Sequence, residues 1–64
     1  MVKNKLKEIR MKEYMIGSSE FANMLGIHRS TYSQWENSTN NPPLYKALEI
    51  AKKLNKTVEE IWFL

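Results

Sequence analysis

The chain has no cysteine and no aspartate, one histidine, two glycines and two prolines among its 64 residues. Each shortage removes a class of answer. Without cysteine there is no disulfide staple, and a reducing compartment is the expected setting. One histidine and no thiol cannot complete the four ligands of a structural zinc, so no metal is expected. With glutamate as the only acid, most carboxylate-based metal sites and paired-carboxylate hydrolases drop out. No run approaches the roughly 18 apolar residues of a membrane span. The N-terminal segment alternates charge with bulk (Lys3, Leu6, Lys7, Glu8) and carries no apolar signal-peptide core. The expectation is a cytoplasmic, single-domain protein over residues 1–64, close to the lower size limit for folding unaided.

What is present is 42% hydrophobic residues, a net charge of +3 and an isoelectric point near 9.3. That balance permits a polyanionic partner without requiring one. The excess charge is localised. Residues 1–17 hold Lys3, Lys5, Lys7, Arg10 and Lys12 against Glu8 and Glu13. Residues 18–46 balance Arg29 and Lys46 against Glu20 and Glu36.

Gly17, Gly26 and the Pro42-Pro43 pair cut the chain into helix-sized pieces. No period-2 run of β-branched residues occurs, so no strand is expected. The first piece, Asn4 to Tyr14, turns Leu6 and Ile9 inward, with Met11 or Tyr14. The second, Ser18 to Leu25, does so with Phe21, Ala22 and Leu25, and Gly26 ends it in a left-handed turn. The third spans His28 to Asn37. The fourth, Pro43 to Leu54, aligns Leu44, Ala47, Leu48, Ala51 and Leu54. Thr57 and Glu60 make a capping box for the fifth, ahead of Ile61. Met11, Met15 and Met24 read as gap fillers, and Lys52, Lys53 and Lys56 as a solvated face. The fold class predicted is all-α: five short helices around one core.

The third piece separates by angle, at about 100° per residue. His28, Thr31, Tyr32 and Trp35 share the inner face, and the aromatics supply most of its burial. Arg29, Ser30, Ser33, Gln34 and Asn37 share the outer arc, which has neither an aliphatic residue nor an acid. Arginine matches the O6/N7 edge of guanine and glutamine the N6/N7 edge of adenine, while serine serves either. Alone, such an arc is equally an ordinary solvated face. Its neighbours add weight: Ala22 allows close approach, Gly26 turns the chain and Ile27 plugs the angle. That is the layout of a helix-turn-helix.

The stretch from Ser18 to Asn37, with Asn41-Pro42-Pro43-Leu44, Leu48 to Asn55 and Thr57 to Ile61, resembles the Xre family of regulators, also called Cro/lambda-repressor-like. The resemblance implies a compact five-helix bundle that binds operator double-stranded DNA, typically as a homodimer on a palindromic site. It assigns base reading to Arg29, Ser30, Ser33 and Gln34. It assigns phosphate contacts to Ser18, Asn37, Asn40 and Asn41, to which His28 and Lys46 are added as candidates. It also implies a structural ion pair between Arg10 and Glu36. This sequence departs from the family pattern at four places. Ser18 stands where glutamine is usual, and His28 replaces a Ser or Thr cap. The turn at Tyr14-Met15-Ile16 is one residue longer and lacks glycine, and the loop Ser38-Thr39-Asn40-Asn41 lacks glycine and basic groups.

The chain end Ile61-Trp62-Phe63-Leu64 is unusually apolar. Ile61 is assigned to the core, and Trp62, Phe63 and Leu64 are candidates for a dimer contact. The functional expectation is a DNA-binding regulator, acting as a repressor by occupying its operator. A protein-interaction module of antitoxin or anti-repressor type, on the same scaffold, is the second reading. Catalysis is not expected, because His28 has no aspartate to orient it. Nor is a cofactor or small-molecule ligand, since 64 residues leave no room for a sensor.

Overall fold

In the computed structural model, which describes residues 2–64, the apolar stripes foreseen along the chain fold into five helices: α1 (Leu6–Ile9), α2 (Ser18–Leu25), α3 (Arg29–Glu36), α4 (Leu44–Lys53) and α5 (Val58–Ile61). Leu6, Ile9, Phe21, Ala22, Leu25, Tyr32, Trp35, Ala47, Ile50, Ala51, Leu54 and Ile61 form one buried core. Phe21 is fully buried within it. Its ring meets Tyr32 edge-on at 5.5 Å and Tyr14 at 5.3 Å between centroids, separations at which aromatic pairs attract.

The long turn after α1 is handled without glycine. The helix widens into a π-helical segment, Arg10–Tyr14, closed by a Met15 N–H donating to the Arg10 carbonyl at 2.7 Å. A π turn is how a helix absorbs an extra residue. The left-handed conformation then falls on Met15 (φ 53°), a residue that adopts it at some cost. After α2 the same task falls to Gly26 (φ 74°), where the Ile27 N–H reaches the Ala22 carbonyl at 3.0 Å. Lys53 joins that corner by donating to the Leu25 carbonyl at 3.0 Å, and Lys56 pairs with Glu13 at 3.0 Å. Two of the three lysines read as a solvated face therefore tie elements together.

Three further expectations need correction. A short ribbon exists where no strand was predicted: β1 (Lys3–Asn4) pairs antiparallel with β2 (Trp62–Phe63), Asn4 opposite Trp62. Strands of two residues are too short for any period to show, and the partners lie at opposite ends of the chain. In α4 the inward stripe is Ala47, Ile50, Ala51 and Leu54, while Leu44 (71% exposed) and Leu48 (53%) face outward. They sit about 60° and 100° round from Ala47, on an apolar flank left largely exposed among the described residues. Met11, Met15 and Met24 are likewise exposed and fill no gap.

Candidate nucleic-acid interface

Helix α3 is held by its inner side. Tyr32 and Trp35 are buried, and its last residue enters a polar seam. Arg10 grips Glu36 in a two-point pair, Nε to Oε2 at 3.1 Å and Nη2 to Oε1 at 3.3 Å. Its Nη1 donates to the Ile16 carbonyl at 3.0 Å, and the Tyr32 hydroxyl donates to Glu36 as well. Both side chains of the pair are largely covered, at 14% and 12% exposure. The hydrogen bond to Glu36 raises the pKa of Arg10; burial first, then Glu36, pushes the Tyr32 phenol far above its ordinary value. The pair thus bolts the end of α3 to the π-helical segment that follows α1 and, through Ile16, to the turn after it.

A second anchor was not foreseen. Asn4 Nδ2 donates to the Trp35 carbonyl at 2.7 Å and to Ser38 Oγ at 3.3 Å, while its Oδ1 accepts from the Leu6 N–H at 3.0 Å. One side chain therefore steadies the entry to α1, whose N-cap is Lys5 without a side-chain cap, and fastens the end of α3. The sequence shows a polar residue just before an apolar-periodic segment, and nothing in it points to the distant partner.

The outer arc is open. Arg29, Ser30, Ser33, Gln34 and Asn37 are all exposed, and Thr31 is half-buried between the two faces. Among the described residues Arg29 has no carboxylate or hydrogen-bond partner. With His28, Ser30 and Ser33 it lines an open recess of about 380 Å³. His28 lies outside the inner face assigned to it, because it caps α3 from an extended backbone. Its Nδ1 accepts from the Ser30 N–H at 3.3 Å and contacts Ser30 Oγ at 2.8 Å.

The phosphate candidates divide. Gly17, and not Ser18, is the N-cap of α2; it provides no side-chain acceptor, and half-buried Ser18 is the first helical residue. The first-turn N–H groups of α2 thus lack a side-chain cap, an arrangement that accommodates an anion. Asn37 and Asn41 are exposed. Lys46 is half-buried and pairs with Glu49 at 3.3 Å, and Asn40 donates to Gln34 at 2.8 Å. Those two groups are already engaged within the chain.

At the chain end Trp62 is buried, at 8% exposure, as part of the monomer core. Pairing of β2 with β1 turns it inward, so it is withdrawn as a dimer contact. Phe63 (40% exposed) lies 5.7 Å beneath the Lys5 ammonium, and Leu64 is almost bare at 89%.

A helix-turn-helix presenting an open polar helix from an anchored scaffold defines a class of DNA-binding regulators. Comparison with family models agrees: the helix-turn-helix model of Cro/C1 type matches residues 6–61. The chain belongs to that Xre-like helix-turn-helix family. No curated protein matches the chain. Among the described residues no helix is long and apolar enough to cross a membrane.

Proposed function

We propose that this protein is a sequence-specific regulator that sets α3 in the major groove of double-stranded DNA and represses by occupying its operator in the cytoplasm. One observation supports this reading most: Arg29 is exposed, and unengaged among the described residues, beside Ser30, Ser33 and Gln34, on a helix whose opposite face is locked by Tyr32, Trp35 and Glu36. Rigid presentation of donors and acceptors is what base-edge reading requires. Arg29, Ser30, Ser33 and Gln34 are the proposed reading groups. Ser18 with the start of α2, His28, Asn37 and Asn41 are the proposed backbone contacts.

The reading unit has no net charge, so few ionic phosphate contacts are expected. The salt dependence of binding then corresponds to about two or three phosphates per monomer. Weak binding by one copy favours two copies on a palindromic site. Two apolar surfaces are available for pairing, Phe63 with Leu64, and Leu44 with Tyr45 and Leu48 on α4. Selection of bound sites from random duplex DNA tests the whole reading. A symmetric consensus supports it; binding without sequence preference defeats it. The second reading, a protein-binding module, draws on the same exposed apolar groups. It predicts complexes that persist as salt rises, with no retention of duplex DNA.

A further inference from the structure

The loop after α3 closes on a single residue of the reading arc. The Gln34 main-chain carbonyl accepts from the N–H groups of Thr39 at 2.9 Å and Asn40 at 3.3 Å. Its side-chain Oε1 accepts from Asn40 Nδ2 at 2.8 Å. Three hydrogen bonds from one loop thus converge on one exposed glutamine. The loop is itself fixed from behind: Ser38 reverses the chain at φ 62°, and Asn4 holds both Ser38 Oγ and the Trp35 carbonyl.

An exposed amide–amide bond adds little stability, since water satisfies both groups in its absence. What it does is select a rotamer. A free glutamine loses side-chain entropy when it is fixed against a base. Asn40 removes part of that loss before DNA arrives. The bond leaves the second lone pair of Oε1 and both Nε2 hydrogens free. Those are the groups an adenine edge needs, one acceptor for N6–H and one donor for N7.

We propose that Asn40 is a specificity-setting residue, holding the Gln34 amide in its reading pose so that one base-pair preference belongs to the pair. This rests on the DNA-reading function proposed above and replaces the phosphate contact expected of Asn40. The test measures binding of the parent protein, Asn40→Ala, Gln34→Ala and the double variant to duplexes substituted one base pair at a time. Thermal melts accompany it; Asn40 is exposed, and unchanged melting separates recognition from folding.

Asn40→Ala should lower discrimination about three- to tenfold, the range of one well-placed hydrogen bond. The loss should fall at the base pair that Gln34→Ala affects, the double variant should be no worse than Gln34→Ala, and the salt slope should stay unchanged. A uniform loss over all duplexes overturns the proposal in favour of a phosphate contact, which a neutral amide makes without altering the salt slope. Additive losses, or losses at different base pairs, overturn it too. A parent protein that shows no sequence preference overturns the functional reading itself, a result distinct from either.

Discussion

The chain contains two arginines, and their surroundings differ in every respect. Arg10 gives donors to both Glu36 oxygens and to the Ile16 carbonyl, and is largely covered. Arg29 stands on the outer arc of α3, exposed and without a partner among the described residues. The contrast shows how a scaffold of 64 residues makes one helix both rigid and available. Guanidinium chemistry at the seam fixes the helix end, because its planar fork matches a carboxylate at two points. The same chemistry left open on the other face can address a base edge in the same two-point manner.

The largest effect should come from breaking the covered arginine. Arg10→Ala leaves the Glu36 carboxylate half-buried without its cation and should cost about 3 kcal/mol. A domain of this size seldom holds more than about 3–5 kcal/mol, so a urea or thermal melt should find it at the edge of unfolding. Retention of parent stability would place the lock elsewhere. Arg29→Ala should do the opposite: an unchanged melt, with about 1–3 kcal/mol of discrimination lost at one base pair. A matching drop in stability would erase the distinction between the two residues.

A pH titration sharpens the seam side of the comparison. The folded state raises the Tyr32 pKa by burial first and by Glu36 next. A phenol whose pKa is raised on folding contributes its full stability below the ordinary tyrosine value, near 10. That contribution is lost as pH rises above it, because the unfolded chain ionises first. Melting should therefore fall on the alkaline side, and Tyr32→Phe should flatten that fall. The smallest effect is expected at Lys52, an exposed cation distant in sequence from both arginines. Lys52→Ala should leave stability within about 0.5 kcal/mol and DNA affinity nearly unchanged.

The legible parts of this molecule share a property: their evidence is local. The left-handed stop at Gly26, the Thr57–Glu60 capping box and the inward aromatics of α3 each depend on residues within a turn or two. The outer arc of α3 follows from angle once its buried side is known, whereas the choice of Arg29, Ser30, Ser33 and Gln34 within it as base readers came from family likeness. Arg10 and Glu36, 26 residues apart, also came from family likeness. What failed shows the limit of the same method. Leu44 and Leu48 satisfy the helical period as well as Ile50 does, and only the packing of the other helices decides which flank is covered.

By itself the amino-acid sequence determined five helices, the stop of α2 at Gly26, the polar arc of α3 and the family to which the chain belongs. Tertiary structure alone decided the ribbon that withdraws Trp62, the Asn4 clasp on α3, the π turn ending on Met15 and the Asn40 hold on Gln34. The physical reason is range. Helices and caps are set by neighbours within one turn, whereas the ribbon and the Asn4 clasp join groups that only folding brings within 3 Å or so of each other. The π turn and the Asn40 bond, although local in sequence, depend on a chain reversal that the surrounding packing selects.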